Sequence, residues 1–203
     1  MCAKSKPYLD AAYALITPED SRRLYAAWAE TYDAGFAEAS DYVLPKKVAE
    51  QFVDAGGGGA VLDIGAGTGL CGQALAALGV MLVDGTDISP EMLEVAQKKR
   101  VYSSLFAADV TLGLPVSDGQ YDGIVSSGTF TNGHVGPDAL DELLRVTRAG
   151  GLLALSINGA HFETCGFAQK LDALAGQIVD LRLPEIRFYG RMPPAHIRMI
   201  RVM

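Results

Sequence analysis

Cysteine is scarce in this chain: Cys2, Cys71 and Cys165 are odd in number, far apart and without the spacing of metal ligands. That excludes a disulfide framework and a cysteine metal centre, and it points to a reducing compartment with no metal in the site. No apolar run approaches the roughly twenty residues that cross a bilayer, and neither end reads as a signal peptide. A cytoplasmic location without a membrane partner is therefore expected. Positive charge is also short, with 17 Lys and Arg against 24 Asp and Glu and a formal net charge of -7. Such a balance repels nucleic acid and anionic lipid unless a local basic patch intervenes. The one dense basic run, Lys98-Lys99-Arg100, falls where a helix is expected to end, and cations there complement the helix dipole. No internal repeat or low-complexity segment occurs. With 203 residues, 49% of them hydrophobic, the chain has enough apolar material for one good core and is short for two full domains.

Glycine is plentiful, and its placement is informative. Val61-Leu-Asp-Ile-Gly-Ala-Gly-Thr-Gly-Leu70 reads as a buried strand, a tight turn and a helix start, with Gly65, Gly67 and Gly69 letting the backbone approach a ligand closely. A dinucleotide fingerprint spaces its glycines G-x-G-x-x-G, which would put the third at position 70, where this chain has Leu70. Asp63, two residues before Gly65, sets a carboxylate at a turn that otherwise suits a pyrophosphate. An anion there favours a cationic ligand end. A molecule with a nucleoside at one end and an ammonium and sulfonium at the other, S-adenosylmethionine, fits that polarity.

Along the chain, residues 1 to 16 show no sustained period and are expected to form an arm or loose lid. Thr17-Pro18-Glu19-Asp20 starts a helix, on which Leu24, Tyr25, Trp28 and Tyr32 share an apolar face. Residues 41 to 55 read as a second helix, and Gly56 to Gly59 read as a hinge ahead of the first strand. From there strand and helix alternate: a helix over 68–78, a strand from Met81 to Thr86 ending in Asp87, a helix from Ser89 to about Arg100, and a strand running into Asp109 and Val110. A fourth strand, 121–127, a helix, 138–147, and a fifth strand, 152–157, follow. A helix over 162–175 and two extended runs, 179–189 and 196–202, close the chain, the latter as an antiparallel pair. The alternation predicts an α/β fold with a parallel sheet covered on both faces. Asp87 lies about twenty residues past the glycine loop, where an acid bonds ribose hydroxyls in nucleotide-binding folds.

From about Tyr25 onward the chain resembles the class I S-adenosylmethionine-dependent methyltransferases. The motifs that carry the resemblance are Asp63 to Gly69, Gly85-Thr-Asp87-Ile-Ser89 with Met92-Leu93, Ala108-Asp109-Val110, Tyr121-Asp122, and Leu143 to Gly151. Within that family, Thr131-Asn132-Gly133-His134 with the acidic helix behind it is most similar to the Williams-Beuren-region methyltransferase-like proteins. The resemblance implies a doubly wound, mostly parallel seven-stranded sheet of Rossmann-like methyltransferase type, its last strand antiparallel. Residues 1–55 would form a helical arm and lid of the same domain, and residues 56–203 the S-adenosylmethionine-binding core. It also implies site roles. Asp63, Gly65, Gly67 and Gly69 hold the amino-acid end of the cofactor, Asp87 the ribose, Ile88 and Met92 the adenine face, and Asp109 with Val110 the adenine edge, with Tyr32, Ala66 and Ser126 as further contacts.

The acceptor pocket is expected between Tyr25, Trp28, Phe130, Asn132, His134 and His161, with His134 the candidate base. Ser126-Ser127-Gly128-Thr129 stands where enzymes acting on base or amide nitrogens carry an Asn or Asp, two prolines and an aromatic. That makes a small-molecule acceptor the expected partner rather than nucleic acid, in a monomer or homodimer. A binding protein without turnover stays open as an alternative. A nicotinamide dehydrogenase is opposed by Asp63 and the missing third glycine.

Overall fold

A computed structural model describes residues 11–12, 15, 17–38, 40–131, 134–186 and 195–203. Cys2, most of the expected arm and Asn132 lie outside the described residues. Helix α1 (Pro18–Trp28) opens on a reciprocal capping box: the Asp20 amide donates to Thr17 Oγ1 at 3.1 Å and the Thr17 amide donates to Asp20 Oδ2 at 3.2 Å. Two such bonds satisfy helix-end donors that would otherwise lack partners. The chain then tightens into a 3-10 turn, Ala29–Thr31, and widens into a π-helical turn, Asp33–Glu38.

Helix α2 (Leu44–Asp54) buries Leu44, Val48, Ala49 and Phe52 along one face. Its end corrects the hinge expectation. Gly56, at φ +85°, takes the left-handed conformation, the Gly57 amide donates to the Phe52 carbonyl, and the Gly56 amide donates to that of Val53, both at 2.9 Å. This pair of bonds is the Schellman stop. The Phe52 ring also fills the space in front of Gly57, where a Cβ would meet it at 2.6 Å, and packs against Gly123. The glycine run is therefore a fixed helix terminus.

The remaining elements are β1 (Ala60–Ile64), α3 (Leu70–Ala77), β2 (Leu82–Asp87), α4 (Pro90–Lys98), β3 (Ser104–Ala107), β4 (Tyr121–Phe130), α5 (Ala139–Val146), β5 (Thr147–Asn158), α6 (Gly159–Thr164), α7 (Phe167–Ala173), β6 (Ile178–Ile186) and β7 (Ala195–Val202). They form a seven-stranded sheet in the order β3-β2-β1-β4-β5-β7-β6. β7 runs antiparallel to both β5 and β6 and the other pairs are parallel. The helix expected over 162–175 is two helices, broken where Gly166 takes φ +81°.

Alternation along the strands divides the core. Leu62, Ile64, Ile124, Leu153 and Ile200 pack with Leu140, Leu143 and Phe167 of α5 and α7. Val61, Val83, Val125, Ala154 and Met199 pack with Val48, Phe52 and Leu75 of α2 and α3. A third, smaller cluster joins Trp28, Phe36 and Ala37 to Tyr25, Tyr32, Tyr42 and Leu70. The connection leaves β1 toward β2 and β3 on one side and later resumes at β4 on the other, so a crevice opens past the carboxyl end of β1.

Candidate cofactor and acceptor cleft

That crevice holds a cleft, and the glycine loop forms its floor. Gly65, Ala66, Gly67 and Thr68 line it, joined by Asp87, Ile88 and Met92 after β2 and by Asp109, Val110 and Thr111 after β3. Gly65 takes φ +68°, and a side chain there would run into Thr129. The backbone is pinned from below by Ser126, whose hydroxyl donates to the Ile64 carbonyl at 2.8 Å, and by the Thr129 hydroxyl, donating to the same oxygen at 3.1 Å.

Asp87 faces the cleft, yet both its oxygens already work within the protein. Oδ2 accepts from the Gly67 amide at 2.8 Å and Oδ1 from the Ser89 amide at 2.9 Å. Burial raises its pKa, and the amide bonds act against that rise. Asp87 thus ties the glycine loop to the start of α4, and Ser89 caps that helix through the Met92 amide at 3.3 Å. Asp109 is shaped by a local turn, its Oδ1 accepting from the Thr111 amide at 2.9 Å and the Thr111 hydroxyl at 2.6 Å.

Three expected contacts on this wall lie behind it. Asp63 does not reach the mouth of the turn: it is 0% exposed, because strand alternation aims it with Val61 toward the helices on that face of the sheet. Its Oδ2 accepts from the Tyr102 hydroxyl at 2.7 Å, and that hydroxyl oxygen accepts from the Gly72 amide in the first turn of α3 at 3.2 Å. Among the described residues Oδ1 has no hydrogen-bond partner, and burial pushes the carboxyl up to about 7, against the Tyr102 hydrogen bond and the Gly72 amide and with the nearby Asp87. Gly69, at φ +90°, packs against Tyr102 and Ala96 and lets α3 approach α4. Ser126 is buried beneath the loop, and Ser127 lines the cleft in its place.

The opposite wall is aromatic. Tyr25, Tyr32, Tyr42 and His134 line it, with Pro18, Ser21 and Pro45. Tyr25 lies 5.6 Å, ring centre to ring centre, from His134, and Tyr32 lies 4.8 Å from Trp28 and 5.1 Å from Phe36. Trp28, expected on the wall, is 2% exposed and stacks behind Tyr25 at 6.1 Å, so it buttresses the wall from inside. Phe130 is also absent from the wall: it points into the core against Phe167. His161 is buried, and its Nε2 donates to the Val135 carbonyl at 2.9 Å, so it anchors the loop that carries His134 and does not touch the cleft. Among the described lining residues no Lys or Arg occurs, and Asp87 and Asp109 are the charged ones. Among the described residues no group of His, Cys or acidic side chains is placed to hold a metal ion, and no helix is long and apolar enough to cross a membrane.

Three positions with large roles had no role assigned from the sequence. Tyr42 and Tyr102 are single aromatics outside any periodic stretch. Asp33 accepts from the Thr68 hydroxyl and from Lys99 Nζ, each at 2.6 Å. The basic run does end a helix, with Lys98 in the last turn of α4, and Lys99 at its C-cap also pairs with Asp33.

Residues 62–155 match the methyltransferase domain family, and the fold is that of S-adenosylmethionine-dependent methyltransferases. The match covers just under half of the chain and supports S-adenosylmethionine as the cofactor. Human Methyltransferase-like protein 27 is 35% identical over 139 residues, covering 65% of this chain and 55% of that protein. The demethylmenaquinone methyltransferase of Thermobifida fusca is 33% identical over 149 residues, 71% of this chain and 61% of that enzyme. The chain therefore spans between half and two thirds of these curated relatives. A shorter likeness, 38% over 77 residues, joins it to the 18S rRNA (guanine-N(7))-methyltransferase bud23 of Schizosaccharomyces pombe, covering 37% of this chain and 28% of that one. In fold it matches DhpI in complex with SAH, with a TM-score of 0.66 and 21% identity over 91% of this chain and 96% of that one. It also matches the [4+2]-cyclase SpnF, with a TM-score of 0.70 and 17% identity over 92% and 97%.

Proposed function

We propose that the chain transfers the methyl group of S-adenosylmethionine to a small, neutral acceptor. The observation that carries this reading is the asymmetry of the cleft: a glycine loop flanked by two carboxylates, Asp87 and Asp109, on the sheet side, and an aromatic wall with no Lys or Arg among its described residues on the other. A nucleoside, whose ribose hydroxyls and adenine amine donate hydrogen bonds to carboxylates, suits the first. An anionic acceptor such as a nucleic acid would find no counter-charge at the second. The amino-acid end of the cofactor sits over Gly65, Ala66 and Gly67, the ribose at Asp87, and the adenine between Ile88, Met92, Asp109 and Val110. Asp63 and Gly69 act from behind, by holding the loop and the start of α3.

The sulfonium is already activated, so bringing acceptor and methyl into line supplies much of the rate. Where the acceptor must lose a proton, His134 is the group in reach of the pocket. Residues 1–55 act as a helical arm whose aromatics close over the cofactor and exclude water. The core from 56 onward is read as doubly wound, and the 131–134 sequence as a Williams-Beuren-type subgroup feature. Action in the cytoplasm on a freely diffusing acceptor, as a monomer or homodimer, completes the reading.

The test is a two-stage assay. Calorimetry with S-adenosylhomocysteine and with NAD comes first, then transfer of labelled methyl to neutral phenols, quinols, thiols and amines beside ribosomal RNA. Labelling of a neutral small molecule supports the proposal. Labelling of RNA alone would overturn the acceptor class, and cofactor binding without any transfer would favour a binding protein.

A further inference from the structure

We propose that Asp33 is a positioning residue, its carboxylate coupling the aromatic segment of the N-terminal region to the cofactor loop. The role rests on the cofactor of the domain and not on the identity of the acceptor. Asp33 opens the π-helical turn directly after Tyr32, one of the wall aromatics. Its Oδ1 accepts from the hydroxyl of Thr68 at 2.6 Å, and Thr68 sits within the glycine loop between Gly67 and Gly69, lining the cleft. Its Oδ2 accepts from Lys99 Nζ at 2.6 Å, with the lysine side chain 12% exposed and that of the aspartate 32%. Three elements distant in sequence thus meet on one carboxylate: the wall, the loop and the end of α4.

The neighbours make the arrangement directional. Within the loop, the Gly67 amide is held by Asp87 and the adjoining Thr68 hydroxyl by Asp33. The loop is therefore gripped from the sheet side by one acid and from the aromatic side by another. An ion pair that served stability alone would have no need of a cleft-lining hydroxyl. Charged hydrogen bonds of this length and partial burial are of the stronger kind. Single-turn π-helical segments occur frequently at functional sites, because the extra residue re-aims the side chains on either side. Here it aims Tyr32 into the cleft and Asp33 onto the loop.

The experiment uses the full chain with Asp33→Asn, Lys99→Met, their double variant, and Thr68→Ser and Thr68→Val. It reads S-adenosylhomocysteine affinity by calorimetry, apo thermal midpoint, and cofactor-induced hydrogen-exchange protection of residues 20–36. The expected result is that Asp33→Asn and Lys99→Met each weaken binding about tenfold, and that the double variant is no worse than the weaker single, as partners in one network behave. Thr68→Ser retains affinity and Thr68→Val loses it. Protection of 20–36 falls in the weakened variants while that of β1 and β4 persists. Unchanged affinity with a lowered midpoint would overturn the role, and so would multiplicative effects in the double. If Asp33→Asn fails to fold, Thr68→Val against Thr68→Ser decides: equal affinities would overturn it. Failure of the unaltered chain to bind S-adenosylhomocysteine would overturn the cofactor reading first, and this role with it.

Discussion

The two walls of the cleft are held by different physics. On the sheet side, position is set by backbone: Gly65 and Gly67 in left-handed conformations, the Ile64 carbonyl gripped by two hydroxyls, and Asp87 on the Gly67 and Ser89 amides. On the other side, position is set by rings resting on rings, Tyr25 on Trp28 and Tyr32 on Trp28 and Phe36, with Asp33 as the polar tie to the loop. Hydrogen bonds constrain angle as well as distance, whereas dispersion contacts constrain distance with little preference of angle. Under the proposed function, the comparison teaches that a wall held by directional bonds suits the cofactor and a wall of packed rings suits the acceptor.

The comparison breaks most severely where the sheet side loses its support. Phe52→Ala removes a ring that is 0% exposed and packed against Gly57 and Gly123. It is expected to cost about 3 to 5 kcal/mol in a denaturant titration. Next comes Gly65→Ala, which needs a left-handed backbone and puts a methyl group into Thr129. Calorimetry should show cofactor binding weakened at least about a hundredfold, because the loop must shift. Asp87→Ala frees two backbone donors at once and is expected to weaken cofactor binding by about 1.5 to 3 kcal/mol. The fold should survive. A collapsed midpoint with unchanged affinity would instead make Asp87 a structural cap alone.

Asp63 sharpens the comparison through pH. With its carboxyl raised from the usual 3.8 to about 7 by burial, the folded state holds a proton that the unfolded state has already released. Stability from this group is complete below the lower value and is lost as pH rises through the upper one. Asp63→Asn is therefore expected to raise the apo thermal midpoint relative to the unaltered chain near about pH 8, with the gain vanishing near about pH 4. A pH-independent difference would contradict the burial. The mildest effect belongs to the aromatic side: His134→Gln is expected to lower methyl transfer about tenfold or more while leaving cofactor affinity unchanged.

The sheet side was largely legible because its signals are local. The glycines from 65 to 69, the acid ending β2 and the acid following β3 sit at fixed offsets from apolar strands, and the alternation predicted the parallel sheet whose strand order opens the crevice. Side-chain direction was less legible. Asp63 was expected at the mouth of the turn, but its position on β1 sends it to the helix-covered face. Phe130 and His161 follow strand ends as expected of pocket residues, yet one enters the core and the other bonds Val135. The helical spacing of Tyr25, Trp28 and Tyr32 marked one apolar face without saying which ring would be outermost. Asp33, Thr68 and Lys99 each sit in a stretch the sequence marks, but their mutual contacts span 35 and 66 residues of chain and had no local signal.

The central claim is that the fixed wall receives S-adenosylmethionine. A calorimetric titration of the full chain with S-adenosylhomocysteine, repeated with NAD, tests it most directly. The account predicts saturable binding of the first at one molecule per chain and much weaker or no binding of the second. NAD binding as tight as or tighter than S-adenosylhomocysteine would contradict it.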